Sequence, residues 1–259
     1  MNYARRMLAV LLAVLPSVAM ANVLVQKGDL KGMPSVLVVI TGNITANDSA
    51  ELTRQLQDVS SDRFAHRMAF LGSPGGDVGS AMAMGKELRR VGFDAYVPAD
   101  MQCMSSCIYL LAAGKNKTVM GPVGIHRPYF TETANVAEQY KLLIDESRAY
   151  FARLNIPERL ADDMFSTPPS DMRILTATEL RSYRLDQPDI VDDEIKQLEM
   201  AREFGVERST MVQFNADINA MCTRFKGDAL SMRDCMCDVS QSYPEPMQKV
   251  ACSTRSGAK

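Results

Sequence analysis

Hydrophobic positions in this chain come as short β-branched runs separated by stretches of helical spacing. Ser35 to Thr41 (SVLVVIT) is almost continuously apolar and stops at Gly42, the pattern of a buried strand. Asn47 to Val59 then sets Leu52, Leu56 and Val59 at helical spacing, with Asn47 or Asp48 available as a cap. His66 to Leu71 is a second strand that ends in the turn Gly72-Ser73-Pro74-Gly75-Gly76. Asp77 opens a helix to Val91 whose inward face is Val78, Ala81, Met82, Gly85, Leu88 and Val91. Phe93 to Val97 is a third strand.

A helix from Ser105 to Ala113 follows, then strands at Thr118 to Met120 and Val123 to His126. Ala134 to Leu154 predicts a long amphipathic helix, with Val136, Tyr140, Leu143, Ile144 and Tyr150 near one stripe that core packing explains. A helix at Pro157 to Phe165, a strand at Met172 to Leu175 and a helix opened by the capping box Thr176-x-x-Glu179 complete the alternation. Strand and helix in turn imply an α/β layered fold with mostly parallel pairing. After Asp192 the texture changes to charged, Met- and Cys-containing sequence poor in β-branched runs, ending in a polar tail from Thr254 to Lys259. The chain therefore divides into a leader (1–21), an α/β domain (22–192) and a helical, disulfide-stapled appendage (193–259).

The leader has the order of a secretory signal: Arg5 and Arg6, an apolar run from Met7 to Leu15, then Ala19-Met20-Ala21 as a small-residue cleavage site. Its apolar run falls short of the roughly 20 residues that span a bilayer. The mature chain is expected to be periplasmic or secreted. A formal net charge of -2 offers no basic footprint for nucleic acid or anionic lipid. Six cysteines in an exported chain read as disulfides. Zinc is the runner-up, without Cys-x-x-Cys or His-rich spacing to support it. No cofactor or metal is indicated.

Six cysteines allow 15 pairings. Cys103 and Cys107, four apart at a helix start, fall within disulfide reach of each other. In a helical tail, the Phe225–Asp228 turn sets Cys222 opposite Cys235, and Pro244-Glu245-Pro246 sets Cys237 opposite Cys252. Exchange of Cys235 and Cys237 is the main rival.

The chemistry concentrates in three places. Acyl transfer needs a nucleophile, a base and donors for the developing oxyanion. Ser105 and Ser106 lie where a loop meets an apolar helix, a place where most serines simply cap. The Gly75-Gly76 turn allows a backbone amide to approach closely. The chain has only two histidines, His66 and His126, and His126 sits at a strand end before Arg127-Pro128.

The run Ser73-Pro74-Gly75-Gly76, the stretch Ser105-Ser106-Cys107-Ile108-Tyr109-Leu110-Leu111-Ala112-Ala113-Gly114 and the run Gly124-Ile125-His126-Arg127-Pro128 resemble the proteolytic subunit of Clp protease, within the crotonase-like superfamily. The similarity covers 36–191. It implies crotonase-like layered β-β-α repeats, Ser105 as nucleophile with Ser106 as its competitor, His126 as base, and the amides of Gly76 and Ser106 as oxyanion hole. It also implies a peptide or unfolded-protein substrate and leaves a homo-oligomer possible. The family's ATP-driven unfoldase is not expected for an exported chain.

The sequence departs from that family in several respects. Ser106 and Cys107 replace Met-Gly, two cysteines bracket the nucleophile, and the interval from Ser105 to His126 is shorter. The stretch Arg173-Ile174-Leu175-Thr176-Ala177 aligns so that Met172 falls where the family has its acid. Asp171, one residue away, is the candidate third member, and a bulge would be needed to aim it. Asp162 and Asp163 are alternatives, as is a Ser-His dyad oriented by a backbone carbonyl or water. The expected function is an exported serine peptidase, the alternative a catalytically silent scaffold of the same fold. An acyl-CoA enzyme is disfavoured because coenzyme A is cytosolic.

Overall fold

A computed structural model describes residues 22–30, 32–59, 64–130, 135–225 and 228–253. The expected leader (1–21) and the polar tail (254–259) lie outside the described residues. The chain forms two compact units, Met1–Gln187 and Pro188–Lys259. This division falls before Asp192 because Asp189 caps the next helix, its Oδ1 accepting from the amides of Val191 at 3.0 Å and Asp192 at 3.2 Å.

The first unit is built on a five-stranded sheet. Strand β1 (Asn22–Leu30) forms an antiparallel hairpin with β2 (Met33–Thr41). Helix α1 (Asp48–Gln55) leads to β3 (His66–Gly72), and α2 (Val78–Val91) to β4 (Asp94–Val97). Strand β5 (Cys103–Met104) and helix α3 (Cys107–Ala113) precede β6 (Lys117–Val119) and β7 (Val123–Ile125). Helices α4 (Val136–Arg153) and α5 (Arg159–Ser166), strand β8 (Arg173–Ile174) and helix α6 (Ala177–Ser182) complete the unit. The large sheet has the order β1-β2-β3-β4-β6, with β2, β3, β4 and β6 parallel. A small sheet, β5-β7-β8, pairs β5 with β7 in parallel and β7 with β8 antiparallel.

Local chemistry explains the elements. In β2, Val36, Val38 and Ile40 alternate onto a fully buried face, and each such side chain contributes roughly 1.5–3 kcal/mol. Asp77 caps α2 by accepting from Ser80 N at 2.7 Å, and Gly92 ends that helix in the left-handed conformation (φ 85°). At α1 neither expected residue caps through its side chain; Asp48 instead accepts from Thr45 N at 2.6 Å. The capping box of Thr176 and Glu179 is formed at α6. Strand β1 has no alternating sequence pattern: the apolar run Val23-Leu24-Val25 is followed by Gln26-Lys27-Gly28-Asp29. It is held by β2 and by Gln55, whose side chain bonds both Val25 N and Val23 O.

The second unit is helical: α7 (Ile190–Phe204), α8 (Arg208–Cys222), α9 (Ala229–Ser240) and α10 (Glu245–Cys252). Its core gathers Ala201, Met211, Phe214, Val239 and Met247 around Cys222. Disulfides join Cys222 to Cys235 and Cys237 to Cys252, the pairs that the two hairpin turns favour. A unit this small gains from such staples because its apolar core is limited. Among the described residues, no helix is long and apolar enough to cross a membrane.

Candidate active site

Two backbone turns and one strand meet at the site. The Ser73–Gly76 turn follows β3 and is fixed by Ser73, whose buried hydroxyl donates to Gly42 O at 2.6 Å and accepts from Gly75 N at 3.0 Å. Isolated bridges join Ser73 to Cys103 and Ile44 to Gly76, and Met104 N donates to Ser73 O at 3.0 Å. Ser105 N donates to Gly124 O at 2.9 Å, so the serine turn is pinned between the glycine turn and β7.

Ser105 sits between β5 and α3 with φ 55°, one of four non-glycine residues with positive φ among those described. That conformation costs an L residue about 1–2 kcal/mol. A sharp strand-to-helix turn of this kind presents a serine hydroxyl clear of the sheet. The Cys103–Cys107 disulfide closes over the turn, and both cysteines are fully buried. Gly75, at φ 98°, lies so close that an added Cβ would meet Ser105 Cβ at 2.7 Å and Met104 O at 2.8 Å. Gly76, at φ 143°, would bring a Cβ within 2.8 Å of Ile44 N. The two glycines are what let these backbones approach.

The adjacent serines are now distinct. Ser105 is half-buried and lines a cleft of ≈ 650 Å³. Ser106 is buried, and its hydroxyl donates to Gly76 O at 3.1 Å instead of capping α3. The cleft also holds His126, Gly76 and Asp77, with apolar walls from Ile44, Val78, Pro128, Tyr129, Phe130 and Leu143. Neither the Gly76 amide nor the Ser106 amide donates a hydrogen bond among the described residues.

His126 follows β7 directly, and its Nδ1 lies 2.9 Å from the carbonyl oxygen of Arg127. A carbonyl can only accept, so this bond places the proton on Nδ1 and leaves a lone pair on Nε2. That is the tautomer a general base needs. Ser105 and His126 share the cleft without a hydrogen bond between their side chains.

None of the candidate third members Asp171, Asp162 and Asp163 lines the cleft. Asp171 is exposed in the turn before β8, where its amide donates to Pro168 O and its Oδ1 accepts from Ser170 at 3.3 Å; it makes no bond to His126. Register explains this: Gly124 pairs with Ile174 and Ile125 with Arg173, so continuing the ladder sets Met172, not Asp171, across from His126. Met172 Sδ sits 2.7 Å from where a Cβ on Gly124 would be. Asp162 pairs with Arg148 at 2.6 Å. Asp163 accepts from the Tyr183 hydroxyl and lies 3.9 Å from Arg173. Glu179, bonded by Thr176 N, Arg173 and the Thr176 hydroxyl, has its carboxyl held down to about 2. No cluster of three or more His, Cys, Asp or Glu suited to a metal occurs among the described residues.

The sequence reading did not anticipate Asn43 and Ile44 as cleft residues, or the Tyr129–Phe130 wall. Tyr140, read as part of a core stripe, instead donates to Pro128 O at 2.9 Å beside the cleft.

No protein-family model and no curated protein matches the chain. Among solved structures, a mutant of the 1510-N membrane-bound stomatin-specific protease is similar over 61% of this chain and 82% of that one, at 16% identity and a TM-score of 0.48.

Proposed function

We propose that the protein is a serine hydrolase that cleaves peptide bonds in exported, unfolded or short polypeptides. The observation that carries this reading is the convergence of Ser105, His126 and Gly76 on one cleft, with Ser105 in a left-handed turn and His126 carrying its free lone pair on Nε2. Ser105 Oγ attacks the substrate carbonyl carbon while Nε2 takes its proton. The oxyanion falls to the amides of Gly76 and Ser106, each such donor being worth roughly 100- to 1000-fold in turnover. His126 returns the proton to the leaving amine, and water then hydrolyses the acyl-serine by the same route in reverse. The orienting role goes to the Arg127 carbonyl rather than to Asp171. The resemblance of the three motifs to the Clp protease subunit supports the same assignment, and the three disulfides suit an oxidising compartment.

A catalytically silent scaffold is the second reading, favoured by the absence, among the described residues, of a carboxylate bond to His126. A fluorophosphonate probe separates the two. The wild type is expected to label, and Ser105→Ala and His126→Ala are expected not to. Labelling that survives Ser105→Ala removes Ser105 as nucleophile, and an unlabelled wild type favours the scaffold.

A further inference from the structure

A base that makes no carboxylate bond among the described residues needs something else to hold its imidazole. In this chain the acceptor on Nδ1 is the carbonyl of the next residue, so whatever fixes the Arg127–Pro128 backbone also fixes the ring. Two clamps flank that carbonyl. On one side Arg127 N donates to Thr167 O at 2.9 Å. On the other, Tyr140 of α4 donates its hydroxyl to Pro128 O at 2.9 Å. The Tyr140 ring adds to the grip: the Arg127 guanidinium lies 5.5 Å from its centroid, and Phe130 meets it edge-on at 4.8 Å.

Proline makes the second clamp effective. The peptide between Arg127 and Pro128 is planar, and the pyrrolidine ring locks the next torsion near -65°. A single soft torsion, ψ of Pro128, therefore separates the carbonyl that Tyr140 holds from the carbonyl that His126 uses. We infer that Tyr140 is the positioning residue of the base: through the Arg127–Pro128 backbone it keeps His126 in the Nδ1–H tautomer, in the place a carboxylate would otherwise fill. The inference deepens the peptidase reading and rests on it for its kinetic consequence alone.

The scarcity of histidine makes the test direct. In the full-length protein, nitrogen-15 spectra of the imidazoles report two residues, and a His66→Gln background leaves only His126. The wild type is expected to show the Nδ1–H form, and Tyr140→Phe, which keeps the ring and removes the hydroxyl, a mixture of tautomers. On a peptide substrate Tyr140→Phe should lower kcat about fivefold with KM unchanged, the factor commanded by one net hydrogen bond. Adding Met172→Asp, which sets a carboxylate across from His126, should restore both the tautomer and kcat. Should Tyr140→Phe fail to fold, Pro128→Ala, which frees the locked torsion, is expected to lose the tautomer in the same way. A wild-type tautomer and rate in the folded variant overturn the inference. A tautomer that depends on Tyr140 in a protein that fluorophosphonate never labels keeps it and removes the peptidase reading instead.

Discussion

Replacing Cys103 and Cys107 together by alanine should cost this protein reactivity at Ser105 as well as stability. The bridge closes a loop of five residues, 103 to 107, which the chain-entropy model values at about 2 kcal/mol. Inside that loop Ser105 holds φ 55°, a conformation that costs about 1–2 kcal/mol. The bridge also restricts the native turn, and removing it lets the turn relax from that conformation. A bias of 1–2 kcal/mol corresponds to a 5- to 30-fold fall in the population with Ser105 presented, and the fluorophosphonate labelling rate should fall by about that factor. Thermal unfolding should move down by about 4–8 °C for a 2 kcal/mol loss in a unit of this size, and further for the packing of two buried sulfurs. Labelling rates read by intact mass, alongside a melting curve, measure both quantities on one sample. Cys222→Ala with Cys235→Ala is the control: it removes a longer loop worth about 3 kcal/mol from the other unit and should leave labelling unchanged. A Cys103/Cys107 double variant that labels at the wild-type rate refutes the coupling between bridge and turn.

Gly75→Ala must fit a Cβ within 3 Å of the serine turn at φ 98°, so it should lose labelling and melt several degrees lower; a wild-type melting curve would contradict the close approach. Ser106→Ala removes only the bond to Gly76 O, worth about 0.5–1.5 kcal/mol, and keeps the amide. It is therefore expected to label, unlike Ser105→Ala. Glu179 is depressed in the folded state to about 2, so its contribution is fully present above the ordinary glutamate range and is lost as pH falls through about 4.5 toward 2. Acid melting curves of wild type and Glu179→Gln should converge over that window, and a constant difference between them would exclude the linkage.

How far the sequence reaches is best seen residue by residue. Strand β2, the capped helix α2 and the α6 capping box follow from local pattern, because burial periodicity, Asp77 and the Thr176/Glu179 spacing each act within a few residues. Strand β1 does not, since it is held by its partner strand and Gln55 rather than by its own residues. Ser105, His126 and Gly76 were legible as types and order, and the resemblance favours Ser105 over Ser106, but the surroundings of each hydroxyl were not legible. Only the fold turns one hydroxyl to Gly76 O and leaves the other at the cleft. Asp171 shows the limit most clearly: the ladder between β7 and β8 ends at Ile125 and Arg173, and the carboxylate two residues before that end is exposed.

The scarcity of histidine and the glycine turn were therefore settled by sequence alone, because they are facts of composition and local conformation. What holds the His126 ring was decided by tertiary structure. A backbone carbonyl carries no side-chain signature, and the Tyr140 hydroxyl that anchors its neighbour reaches it only because α4 packs back across the strand end. Hydrogen bonds to the backbone depend on where chain segments meet, and that is written in the fold rather than in any short run of residues.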